Sequence, residues 1–419
     1  MDNVIRKIVL FLLICLVFFP ETSVNTALAI KKESIYSIYL YRAIGVLTLS
    51  DLIVLFLAFF VFIRTILRGS INFGVVAPIL YLYFFYYILG ALFNIFIAFE
   101  PKGYLFDIKA GLYLFIPYMA LKEVWKDCII TESLIIKIVV IYALGVLLDA
   151  VIIGINGGGH YVSQLSRLVN ISFPIILEVF PISLMLGMFV FFSTKKIKSL
   201  AGFLLVFEFL STVNRLNLGV LVSLIMSLMW LFILKIKLSF RLMVGSIVIL
   251  YYTVYVFLMT IIIFIQNPLT QFKADGWGLR KIEIYNFLEN AAMNFPILIG
   301  KGLGATWKEI VIPASADVYS HGSFYDNVNN FIFHNTLGGS FYKFGIIGSL
   351  FIITYLAILS TRVLFHTRHT KNESVGAFLS FSIPAFVMLN INGIGVLKGA
   401  LICSLILFSI NRLLKNNPL

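Results

Sequence analysis

At 419 residues, with 61% hydrophobic and 12% charged side chains and a mean hydropathy of +1.02, the chain has too little polar surface to cover itself in water. A net charge of +13, spread over the ends of apolar runs and not gathered in one patch, points to membrane topology and anionic ligands and away from nucleic acid. Cys15, Cys128 and Cys403 lie in or beside apolar runs without CxxC or metal-ligand spacing, which excludes a disulfide framework and a zinc site.

Apolar runs of about the 20 residues that a membrane span needs recur along the chain with basic residues between them. The first covers 5–20 behind Arg6 and Lys7, and Ala27-Leu28-Ala29 after it resembles a signal-peptidase site; we read the run as an uncleaved helix. Further runs fall at 44–63, 74–98, 104–121, 134–153, 171–193, 199–214, 216–234 and 242–265. After a long connection come 341–360, 375–394 and 396–411. The expected fold is therefore an all-α polytopic membrane protein of about twelve transmembrane helices.

Placing Arg6 and Lys7 inside puts Arg64, Arg68, Lys122, Arg362 and Arg412 in inner segments, and both termini become cytoplasmic. The long connection between helices nine and ten then lies outside, dividing the chain into helices one to nine (1–265), the loop (266–340) and helices ten to twelve (341–419). A loop of this length in a compact protein is usually functional. Ile282, Ile284, Tyr285, Phe287 and Leu288 give it a helix-like apolar face, which Pro296 and the run Gly300-Lys301-Gly302-Leu303-Gly304 end in a turn. That glycine run follows no strand and lacks a Lys-Ser or Lys-Thr ending, so it is not a nucleotide loop.

Charges at membrane depth are costly, so Asp51, Asp107, Lys109, Asp149, Glu178, Glu208 and Arg215 each need a partner or a task. Helix-helix hydrogen bonding is the simpler account of Asp51 and Asp149, and Glu208 and Arg215 could share one helical face. In the loop, Arg280 either pairs with Glu283 one turn on or grips a diphosphate in bidentate fashion, with Lys281 beside it. His334-Asn335 directly precedes the tenth helix, where an imidazole either caps the helix in water or faces a substrate; Asn327, Asn329 and Asn330 gather polar groups nearby. His321 stands in a Tyr-Ser-His-Gly-Ser stretch that reads as loop.

Three ordered segments resemble the O-antigen ligase and O-antigen polymerase superfamily. They are Ser211-Thr212-Val213-Asn214-Arg215; Gly278-Leu279-Arg280 followed by Asn294 to Gly302; and Phe333-His334-Asn335-Thr336 followed by Phe344-Gly345-Ile346-Ile347-Gly348. The motifs cover 211–350, while the first 200 residues match in hydropathy alone. Asn214, where serine or threonine commonly precedes the arginine, is a departure from the pattern.

The resemblance implies a GT-C-like glycosyltransferase of the bacterial inner membrane with a periplasmic loop. Its catalytic residues would be Arg215, Arg280 and His334, and Asn335, Lys281, Lys301 and His321 would contact substrate. The donor would be an undecaprenyl-diphosphate-linked glycan, polymerised by addition of repeat units. A ligase moving the finished chain to lipid A core is the alternative. A chain-length regulator and membrane lipids are the further partners expected, with no nucleic acid. Arginines can stabilise a departing diphosphate as a divalent metal does elsewhere, and the loop acids Asp275, Glu283, Glu289, Glu309, Asp317 and Asp326 form no Asp-x-Asp pair. No metal or cofactor is therefore expected. A transporter or flippase is a third reading, to which two similar halves and a mid-membrane site would belong.

Overall fold

The computed structural model describes residues 2–18, 42–44, 47–69, 72–97, 101–125, 298–305, 336–367, 373–390 and 397–415, with shorter pieces within 133–140, 186–205 and 228–250. These are almost entirely helical. In chain order the helices are α1 (Asp2–Phe18), α2 (Leu49–Arg68), α3 (Ala77–Ile97), α4 (Pro101–Val124), α5 (Thr336–Thr367), α6 (Glu373–Asn390) and α7 (Leu397–Lys415). Residues 228–235 and 240–250 are also helical. One small antiparallel ladder, β1 (Arg42–Ile44) with β2 (Leu47–Thr48), leads into α2.

Among the described residues, three helical stretches are long and apolar enough to cross a membrane: Ser50–Leu67 in α2, Gly74–Leu92 through α3, and Tyr342–His366 in α5. Eighteen residues of helix rise about 27 Å, close to the hydrocarbon thickness. Their outer faces suit lipid. Phe56, Phe59, Phe62 and Ile66 on α2 and Tyr81, Phe84, Phe85 and Ile88 on α3 are all exposed, an apolar surface too wide for a monomer in water.

α4 is the hub. From Gly111 to Trp125 every residue is buried or half-buried, the mark of a helix surrounded by others. It packs against α7, α2 and α1, while α5 lies along α6, which in turn meets α7. Tyr118, Leu57, Phe344, Phe378 and Ile410 are among the side chains sealed in the resulting core. Trp230, Met243 and Ile247 form a second cluster with Ile353, Ala357 and Phe381 on α5 and α6.

One end of this bundle is tied by polar bonds around the α2–α3 connection. Gly69 closes α2 in a left-handed conformation, φ 66°, with its N–H on Thr65 O at 3.0 Å. Lys122 Nζ donates to Asn72 O and to Asn72 Oδ1, Tyr118 Oη to Phe73 O at 3.0 Å, and Tyr355 Oη to Val75 O at 2.5 Å. Val75 N donates to Asn411 Oδ1 at 3.3 Å. The ends of α2, α4 and α7 that carry Arg68, Lys122 and Arg412 therefore meet, and Asp51, Asp107 and Gly345 fall toward the opposite end.

Candidate functional site: a strapped break in helix α5

α5 is not continuous. Gly345 adopts φ 62° and ψ −172°, a region that only glycine occupies without strain, and splits the helix into a half ending at Phe344 and a longer half beyond. Such a break frees carbonyls at the end of the first half and an N–H at the start of the second. In an apolar bundle each must find a partner.

The glycine run of the long connection supplies most of them. Residues 298–305 pass as a non-helical strap between α3, α4 and α5, with Leu303 1% exposed and Ala305 4%. Lys301 N donates to Tyr342 O and Gly302 N to Lys343 O, both at 2.9 Å, and Leu298 O accepts from Ile347 N at 3.0 Å. Tyr86 Oη adds a further bond by donating to Phe344 O at 2.5 Å. The strap's next two amides turn to other helices: Leu303 N to Tyr86 O at 3.0 Å, and Gly304 N to Asp107 Oδ2 at 2.6 Å. Four successive strap N–H groups thus have acceptors on three different helices.

Glycine is required by space as well as by conformation. Gly300, Gly302 and Gly304 have φ of 84°, 86° and 78°. A Cβ on Gly300 would stand 2.5 Å from Gly345 N and from Lys343 O, and one on Gly345 would stand 2.5 Å from Gly300 N. Gly302 packs directly on the Gly90 backbone of α3.

Asp107 and Lys343 form a buried ion pair beneath the strap, Nζ to Oδ1 at 2.7 Å and to Oδ2 at 2.9 Å, with side chains 1% and 3% exposed. The carboxylate also accepts the Gly304 N–H, so both partners have the hydrogen bonds that burial of charge demands. Around it Tyr86 and Tyr83 meet Phe344 with ring centroids 5.0 and 5.5 Å apart, and Tyr104 Oη reaches Tyr87 O at 3.4 Å. Lys301 is half-buried; its Nζ donates to Tyr342 Oη at 2.9 Å and lies 5.1 Å from that ring's centroid. Toward the same end Lys109 pairs with Asp51 at 3.1 Å, and Tyr113 Oη donates to Asp51 Oδ1 at 3.0 Å.

Of the residues picked from sequence as catalytic or substrate-binding, Lys301 is the one among the described residues. Arg215, Arg280, Lys281, His321, His334 and Asn335 lie outside the described residues, as do Asp149, Glu178, Glu208 and Cys128. Asp51, Asp107 and Lys109 are accounted for as ion-pair partners. Cys15 and Cys403 are free thiols. Lys343 is the polar residue that sequence reasoning missed. A lysine inside the apolar run 341–360 was the available signal. The glycine run, expected as a turn of the outer loop, is a strap that is exposed at Leu298 and Ile299 and buried or half-buried from Gly300 to Ala305.

Compared with known proteins, the chain matches no family model, no curated protein and no solved structure.

Proposed function

We propose that the protein is a membrane glycosyltransferase that joins undecaprenyl-diphosphate-linked oligosaccharide repeat units at the periplasmic face of a bacterial inner membrane, within a bundle of about twelve helices. The observation that carries this reading is the meeting of two sequence segments picked for it. Gly300-Lys301-Gly302 and the residues flanking Gly345 are far apart in the chain, yet they bind each other amide to carbonyl at the break in α5. The half-helix so held begins at Thr336, immediately after His334-Asn335. The basic ends of α2, α4 and α7 gather at the opposite end, which supports a cytoplasmic placement for them and an outer one for the strap.

In the mechanism, a hydroxyl of the acceptor sugar attacks the anomeric carbon of the donor while the glycosidic bond to the diphosphate breaks. Neutral His334 accepts the hydroxyl proton, a task suited to a group whose reference pKa is about 6.5. Arg215 and Arg280 take up the charge of the departing lipid diphosphate by bidentate hydrogen bonds. Lys301, Lys281, Asn335 and His321 line the donor's polar head. No divalent cation enters these steps.

Purified protein in liposomes, given lipid-linked repeat units with and without chelator, tests the proposal. Chain extension in both samples is expected. Failure of the intact protein to extend or transfer any lipid-linked glycan rejects it. A deletion strain separates the two enzyme variants: a core bearing one repeat unit marks a polymerase, and bare core with accumulated lipid-linked polymer marks the ligase.

The broken helix itself favours a transporter as the second reading, since half-helices often form substrate and ion sites. Against that stands the use made of the break. The carbonyls of Tyr342, Lys343 and Phe344 are already engaged by Lys301 N, Gly302 N and Tyr86 Oη. Movement of lipid-linked glycan across the liposome bilayer without bond formation would decide for transport.

A further inference from the structure

The Asp107 carboxylate is placed where it can do more than neutralise Lys343. One of its oxygens, Oδ2, is the acceptor for Gly304 N–H, and Lys343 Nζ donates to that same oxygen at 2.9 Å and to Oδ1 at 2.7 Å. Lys343 is also the residue whose own carbonyl accepts from Gly302 N. The pair therefore ties α4 to α5 through a closed circuit: side chain to side chain, strap amide to carboxylate, strap amide to the Lys343 carbonyl. A circuit of this kind leaves the strap one register against the break.

We propose that Asp107 is a positioning residue for glycosyl transfer, acting through the strap. This rests on the glycosyltransferase reading above and deepens it. The strap's Lys301 and Gly302 amides grip the last carbonyls of the half-helix Thr336–Phe344, and that half-helix starts directly after His334-Asn335. Releasing Gly304 lets the strap slide, the half-helix tilts, and the base moves relative to the acceptor hydroxyl. Donor affinity, which depends chiefly on the arginines outside this circuit, changes less than the rate, because only the contacts of Lys301 and Asn335 move with the strap and half-helix.

Two neutral double variants of the full-length protein isolate the acceptor oxygen from the charge. Asp107→Asn with Lys343→Met keeps an oxygen for Gly304 N–H; Asp107→Leu with Lys343→Met keeps the branched four-atom skeleton, with bulkier ends, and removes that oxygen. Both are reconstituted in liposomes and compared for kcat, for KM toward lipid-linked repeat units, and for amide hydrogen exchange in peptides spanning 298–305. The Asn variant is expected to retain kcat within about threefold and to exchange slowly. The Leu variant is expected to lose kcat on the order of 10- to 100-fold, the usual scale for an ångström-sized misplacement, with a smaller change in KM, and to exchange fast. Equal kcat and equal exchange in the two would overturn the proposal.

Should the Leu variant not fold, Asp107→Glu repeats the test with the charges kept, because one added methylene moves the accepting oxygen. A kcat that falls more than KM rises is expected, and undiminished kcat refutes the assignment. If the unaltered protein extends no glycan, the glycosyltransferase reading is what fails; the exchange arm still decides whether Asp107 holds the strap.

Discussion

Replacing Gly345 with alanine puts the break in α5 to the sharpest test. At φ 62° and ψ −172° an alanine carries strain of about 1–3 kcal/mol. Its Cβ would also stand 2.5 Å from Gly300 N and Leu298 O, which are backbone atoms and cannot rotate aside. The strap must retreat, and with it go the bonds from Lys301 N and Gly302 N, each worth about 0.5–1.5 kcal/mol net. Together these give a loss of about 4 kcal/mol, close to a thousandfold in the folding equilibrium. Gly245 is the matched control. It lies in the helical stretch 240–250, and nothing lies within 4 Å of where its Cβ would stand, so alanine there should be neutral or stabilising by up to about 1 kcal/mol. Thermal unfolding of the purified variants in mild detergent gives the comparison. Equal midpoints for Gly345→Ala and Gly245→Ala would show that the break is not a requirement of the fold.

Three further outcomes follow from the same geometry and mechanism. His334→Ala should fold normally and lose about 10²- to 10⁴-fold in transfer rate, measured on lipid-linked repeat units; undiminished transfer would remove His334 from the chemistry. Arg280→Lys keeps the charge but not the planar fork, so transfer should recover only poorly relative to Arg280→Ala, whereas full activity would show that charge alone suffices. Tyr86→Phe takes the donor from Phe344 O at a buried site and should lower stability by about 1–3 kcal/mol, read as a drop in unfolding midpoint, with a smaller change counting against the hydrogen bond.

The helices were legible because their apolar runs are long, and their ends were less so for identifiable reasons. α2 was expected over 44–63 and is found at Leu49–Arg68. Its start is delayed by the β1–β2 ladder, and Arg64 does not end it because the guanidinium reaches back over the Phe60 ring, 5.8 Å from its centroid. α4 begins at Pro101, where a missing N–H costs a first turn nothing. α5 begins at Thr336 rather than 341 and runs past 360 to Thr367, since Gly345 breaks it without ending it. The glycines at 300, 302, 304 and 345 were visible as punctuation. That two of them face each other was not, because periodicity reports neighbours a few residues away. The Asp107–Lys343 pair, 236 positions apart, is invisible to any local pattern for the same reason.

The strap also constrains the order in which the molecule can be assembled. α3 and α4 leave the ribosome first, the strap second and α5 last. Until α5 emerges, the acceptors for Lys301 N and Gly302 N do not exist, although those for Leu303 N and Gly304 N are already in place on α3 and α4. A nascent chain stopped short of Thr336 therefore holds a half-docked segment, and insertion of α5 is the step that closes it.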